Sequence, residues 1–191
     1  MKVLIISESI PFPPLNGREL PIAGLFSQIS LRHDVHLLAL TENVQKVQDK
    51  KSALPSTIHL LGILKIKKWS LKKRVLHTIK NFSHSLSPYN YSADDIKRIT
   101  GDNLYDFVWI SPVLFYGFAI FCMQHKLFFF KKIAIGLNDV KTYLYRDGMN
   151  EIIHTGIFNK TQFAQWLLSF IIYVEEKNYL QFANLVHVQT D

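Results

Sequence analysis

With 191 residues, 48% of them hydrophobic and 19% charged, the chain has apolar mass for one well-cored domain, is short for two, and is excluded from the disordered class. Its single cysteine, Cys122, excludes an internal disulfide and a cysteine-rich metal site and fits a reducing compartment. The net charge of +7 sits in one segment: no Asp or Glu occurs between Ser52 and Ala93, where Lys65, Lys67, Lys68, Lys72, Lys73, Arg74 and Lys80 lie, and elsewhere basic and acidic residues are equal in number.

Val3 to Ile6 is a short apolar run with β-branched residues, and "VHLLAL" (Val35 to Leu40) repeats it. Between them Ile22, Leu25, Phe26 and Ile29 fall at i, i+3, i+4 and i+7, one face of a helix. Strand, helix and strand within about forty residues make a βαβ unit and imply a parallel sheet. Ligands of such sheets bind beyond the carboxyl ends of the strands, where "PFPPLNG" (Pro11 to Gly17) sits. The apolar run after Lys2 ends at Ser7 and Glu8, too short for a signal peptide.

"TIHLLGI" (Thr57 to Ile63) is a third expected strand. Taken as a helix, "KKWSLKKRVLHTIKNF" gathers Trp69, Leu71, Val75, Leu76, Ile79 and Phe82 on one side. Lys73, Arg74, His77 and Lys80 take the other side, while Lys72 falls among the apolar group. With Lys65 before it and Lys67 and Lys68 at its start, this basic amphipathic stretch reads as a membrane-surface element, drawn to anionic lipid at ~1 kcal/mol per cation. An ordinary surface helix with a solvated basic face has the same pattern. Nucleic acid is a weaker third option, because no recognised motif accompanies the patch.

"YSADDIKRITGD" predicts a helix capped by Ser92, with acidic residues in its first turn and Gly101 near its end. Tyr105 to Ser111 is a strand, and the uncharged run Phe107 to Met123 is better divided into that strand and a buried helix than read as a membrane span. It falls short of a span's length and carries Pro112 and Gly117. Lys132 to Leu137 is a further strand ending in Asn138 and Asp139. A long helix follows in "KTQFAQWLLSFIIYVEEKNYLQFAN", whose apolar part is core or surface-inserting, and "LVHVQT" is a last strand. The eight histidines show no zinc spacing. Neither G-x-G-x-x-G nor a Walker pattern is present, which argues against dinucleotide or ATP binding by those routes. One doubly wound α/β domain over residues 1–191 is the expected organisation.

In order along the chain, "PFPPLNGRELPIAGLFSQISLRHDVHLLAL", "YDFVWIS", "IGLNDV" and "YVEEKNYLQFANLVHVQTD" resemble the amino-terminal domain of retaining GT-B glycosyltransferases of family 4. The resemblance implies a Rossmann-like doubly wound parallel sheet, the N-terminal half of a GT-B fold. A second, donor-binding C-terminal domain, absent from this chain, would complete the cleft, and the isolated half would be inactive. It implies a nucleotide-sugar donor as substrate with no further cofactor, and transfer to a lipid-linked saccharide acceptor in O-antigen or capsule-type cell-surface polysaccharide synthesis. The enzyme would sit in the cytoplasm, peripheral on the inner face of the membrane, with no nucleic acid partner.

By the same resemblance, Asn16 and Gly17 contact the donor diphosphate or transferred sugar, with Arg18 aiding neutralisation. The physical basis is a helix N-terminus with unpaired N–H groups and a glycine that admits close approach. Gly17 as a plain turn residue before a helix is the alternative. Many relatives carry two adjacent glycines where this chain has Gly17 and Arg18. Many also carry a histidine after the strand matching "FVWIS", where this chain has Ser111 and Pro112, so Ser111 becomes the positional substitute on the acceptor side of the cleft. Asn138 and Asp139 line that side too, unless Asp139 caps the next segment. Catalytic residues remain unassigned, and no metal is expected. The alternative from a different class is a non-catalytic Rossmann-like module recruiting a protein or polyanion through its basic helix.

Overall fold

The computed structural model describes residues 1–15, 19–80, 89–90, 92–101, 103–111, 117–118, 121–122, 125–127, 129–137, 166–167, 170, 173 and 184–188. Six strands form one sheet: β1 (Lys2–Ser7), β2 (Asp34–Thr41), β3 (Ile58–Lys65), β6 (Leu104–Ser111), β7 (Phe129–Leu137) and β8 (Leu185–Val188). Their order is β3-β2-β1-β6-β7-β8, and every neighbouring pair is parallel. The chain builds outward from β1 to β3, returns to lay β6 beside β1, and builds outward again to β8. The direction of winding therefore reverses between β1 and β6, the doubly wound Rossmann-like arrangement expected.

Both faces of this sheet are covered, as its continuous apolar runs require. Alternate residues serve the two sides: Leu4 and Ile6 pack with Leu38, Ile96, Val108 and Phe118, whereas Val3 and Ile5 pack with Phe26, Val35, Leu37 and Trp109. Helix α1 (Glu19–Ser30) belongs to the second layer, burying Ala23 and Phe26. Its Pro21 falls in the first turn, where a missing N–H breaks no helical bond.

Helix α4 (Ala93–Thr100) belongs to the first layer and follows its sequence signals. Ser92 Oγ accepts the Asp95 N–H at 3.3 Å, and Gly101 closes the helix at φ +58° with its N–H on Lys97 O. Ile96 is fully buried, and Ile99 packs so tightly over β3 that a Cβ on Gly62 would stand 2.9 Å from Ile99 Cγ2. A register shift at Leu37/Leu38 inserts one extra β3 residue just before that glycine.

Two features depart from the sequence reading. The five-residue helix α2 (Val44–Gln48), capped by Asn43, is too short to show periodicity. The basic stretch is not one helix from Lys67: Lys67–Lys68 form strand β4, paired antiparallel with β5 (Tyr89–Asn90), and helix α3 spans Leu71–Lys80. The Ile66 N–H on Thr41 O keeps the chain extended past β3, and the Ser70 hydroxyl, accepting the Lys73 N–H, sets the later helix start. In the run Phe107 to Met123 the described positions are strand to Ser111 and helical at 117–118 and 121–122, with Phe118 and Cys122 fully buried. Among the described residues no helix is long and apolar enough to cross a membrane.

Candidate functional site

Strands β1 and β6 end together. Ser7 and Ser111 are register partners, 6% and 3% exposed, at the carboxyl edge where the winding reverses. Ser111 thus lies buried at the carboxyl end of β6. Asn16, Gly17, Arg18, Asn138 and Asp139 lie outside the described residues.

The loop leaving β1 is pinned from both sides. Ile10 and Phe12 are buried in the α1 layer, and the loop carries a cis Phe12–Pro13 peptide. Glu19, the first residue of α1, reaches back along it. Its carboxylate accepts the Leu15 N–H at 2.8 Å and the Ser9 hydroxyl at 3.4 Å, and pairs with Lys50 Nζ at 3.0 and 3.2 Å. The two side chains are 17% and 11% exposed. Burial pushes the Glu19 carboxyl upward, but the Leu15 N–H and the Lys50 ammonium together outweigh it and hold the group below its ordinary value. Glu19 is therefore an anionic clamp that fixes the loop beside the crevice.

Next to this clamp a cavity of about 540 Å³ opens at the carboxyl ends of β1 and β2. Glu8 and Ser9 enter from the loop after β1, Thr41 to Asn43 from the end of β2, and Lys46 from α2, while Lys68 closes it from β4. Leu40, Val47 and Ile66 give it an apolar floor. Its β2 wall is tied locally: Thr41 Oγ1 accepts the Asn43 N–H at 3.1 Å, and Asn43 Oδ1 accepts the Lys46 N–H at 3.2 Å. A second depression of about 680 Å³ adjoins it, lined by Glu42, Lys65, Ile66, Lys67 and Lys68.

The basic residues thus divide. Lys65, Lys67 and Lys68 belong to the rim of these cavities. Lys72 and Lys73 stand exposed on α3, with Lys73 Nζ 4.6 Å from the centre of the half-buried Trp69 ring. Arg74 and Lys80 hold helical positions, their side chains lying outside the described residues. Trp69 precedes the helix rather than riding on it. On α3 itself Leu76 and Ile79, one turn apart, are 53% and 69% exposed.

Sequence reasoning missed Glu8, Glu42, Lys46 and the Glu19–Lys50 clamp. The available signal was positional: "SES" and "TEN" are the first polar residues after the β1 and β2 apolar runs, so in a parallel sheet they emerge at the ligand edge.

A second polar cluster occupies the opposite end of the sheet. His36 Nε2 lies 3.2 Å from Asp34, and its Nδ1 lies 3.3 Å from the Tyr105 hydroxyl. Burial lowers the His36 pKa against the pull of Asp34, and burial raises the Tyr105 phenol to about 12. This network joins β2 to β6 at the end of the sheet away from the crevice. Buried Cys122 has its thiol pushed well up by burial, so it is not an activated nucleophile. Among the described residues no cluster of His, Cys, Asp and Glu could hold a metal ion.

No protein-family model matches the sequence, and no curated protein or solved structure matches it. Chemically, the edge offers carboxylates for hydroxyl groups, ammonium groups for anions and an apolar floor, the means to hold a polar carbon-framed ligand.

Proposed function

We propose that the chain is the N-terminal, acceptor-side half of a retaining GT-B glycosyltransferase of the family 4 type. In this reading it works with a C-terminal domain that carries most of the nucleotide-sugar site. It moves a sugar from the nucleotide-sugar to a lipid-linked saccharide during O-antigen or capsule-type polysaccharide synthesis, on the inner face of the cytoplasmic membrane. The observation that carries the reading is the polar cavity at the carboxyl ends of β1 and β2 in a 3-2-1-6-7-8 parallel sheet, in a chain with the ordered motifs described above. Transfer of this kind asks the protein for positioning and for stabilisation of the departing diphosphate. Asn16, Gly17 and Arg18 would serve the donor phosphates, with Ser111, Asn138 and Asp139 on the acceptor side. No cofactor is required beyond the donor substrate.

Membrane docking is supported by α3, where exposed Leu76 and Ile79 accompany exposed Lys72 and Lys73. The same surface favours a second reading, a non-catalytic Rossmann-like module that recruits a protein or polyanion. Incubating the two-domain protein with radiolabelled nucleotide-sugars and membranes separates them. Label entering the lipid extract, lost in a Gly17→Val variant, supports the transferase. No incorporation from any donor, with tight heparin binding by the isolated chain, supports the module.

A further inference from the structure

We infer that the 540 Å³ cavity binds a saccharide bearing a phosphate, its hydroxyls on Glu8 and Glu42 and its phosphate on Lys46 and Lys68. The assignment of that ligand as the acceptor rests on the transferase reading above; its chemistry rests on the cavity. Five charged side chains line one concavity, Glu8, Glu19, Glu42, Lys46 and Lys68, and among the described residues all but Glu19 stand outside any ion pair. The one carboxylate there that is neutralised, Glu19, is engaged in holding the loop.

Each feature narrows the ligand. A simple anion would meet repulsion from Glu8 and Glu42, and a simple cation repulsion from Lys46 and Lys68. A ligand that presents hydroxyl donors to the carboxylates and an anion to the ammonium groups satisfies both sets. The floor of Leu40, Val47 and Ile66 suits the C–H face of a sugar ring. Lys65 and Lys67 continue the positive charge into the adjoining depression, which suits a dianionic phosphate better than a single carboxylate. The volume falls within the ~300–1,000 Å³ of small-molecule sites. Such a ligand could arrive as a free sugar phosphate or as the phosphate-bearing head of a lipid, because Lys68 belongs both to the cavity and to the chain leading into α3.

Calorimetric titration of the whole chain with glucose 1-phosphate, glucose and inorganic phosphate tests the inference. Glucose 1-phosphate is expected to bind at least about tenfold more tightly than either single-function probe. Glu42→Gln and Lys68→Met should each erase most of that advantage while leaving thermal unfolding unchanged, since both residues are exposed. Equal affinity for glucose 1-phosphate and inorganic phosphate would overturn the proposal, as would full retention of binding in both variants. Flotation with phosphatidylcholine vesicles containing equal fractions of phosphatidylinositol or phosphatidylglycerol distinguishes the sources. A preference for phosphatidylinositol that is lost in Glu42→Gln assigns the lipid-borne head, and glucose 1-phosphate binding without that preference assigns the free sugar phosphate. Binding in this pattern by a protein that transfers no sugar removes the transferase reading alone; transfer without such binding removes the cavity assignment alone.

Discussion

Helices α3 and α4 each begin after a serine whose hydroxyl accepts an N–H three residues on, Ser70 from Lys73 and Ser92 from Asp95. From that shared start they diverge. Helix α4 buries Ile96 and Thr100 and presses Ile99 onto Gly62, whereas α3 leaves Leu76 and Ile79 in solvent. Local capping chemistry decides that both segments are helical; the sheet decides which of them has a partner. Helix α4 is held by the core, and on α3 Leu76 and Ile79 stay exposed among the described residues.

The sharpest way to break this contrast is to cut into each helix. Ile96→Ala should cost about 3–4 kcal/mol in urea unfolding, by lost burial and a cavity in the first layer. Leu76→Asp with Ile79→Asp should leave the unfolding midpoint unchanged and abolish sedimentation with anionic vesicles. A destabilisation comparable to that of Ile96→Ala would mean that α3 is packed after all.

The Glu19–Lys50 clamp gives a second test, because it anchors the loop after β1 through a partly buried ion pair, whereas Gly62 receives α4 through packing. Lys50→Met should cost about 2–3 kcal/mol, somewhat less than a fully buried pair because both side chains keep some exposure. The pH dependence follows in sign. The folded Glu19 carboxyl lies below its unfolded value of 4.5, so its contribution is complete above pH 4.5 and is lost as pH falls through the folded value. The gap between wild type and Lys50→Met should therefore narrow on acidification. A gap that stays constant from pH 7 to pH 3 would remove the ion pair as the cause.

The smallest effect comes from the caps. Ser92→Ala should lower global stability by about 1 kcal/mol. Ser70→Ala should instead speed amide exchange over residues 71–80 with the global value nearly unmoved, since α3 leaves Leu76 and Ile79 exposed.

Much of this architecture was legible in the residues. Val3 to Ile6 and Val35 to Leu40, with a helical pattern between them, announced parallel strands of a βαβ unit. Ser92 and Gly101 marked α4 at both ends. The basic stretch was misread at its start because a helical wheel cannot register that Ile66 is bonded to Thr41 across the sheet. Helix α2 and the β4–β5 ribbon are too short for periodicity to reveal. The cavity was hidden for another reason: Glu8, Glu42 and Lys68 are remote along the chain and meet only when the carboxyl ends of three neighbouring strands come level.

The placement of β6 against β1 also has a consequence for synthesis. The Lys2 N–H donates to Asp106 across 104 positions of sequence, and the whole β1–β6 ladder is equally remote. As the chain leaves the ribosome, β1, β2 and β3 can assemble with α1 once Lys65 has emerged, but β1 then presents a bare edge, Val3 to Ser7, whose five residues later pair with Phe107 to Ser111. At roughly 5–20 residues per second, that edge waits for seconds before its partner exists. During that interval the edge that β6 will cover is open to strand addition from a neighbouring chain.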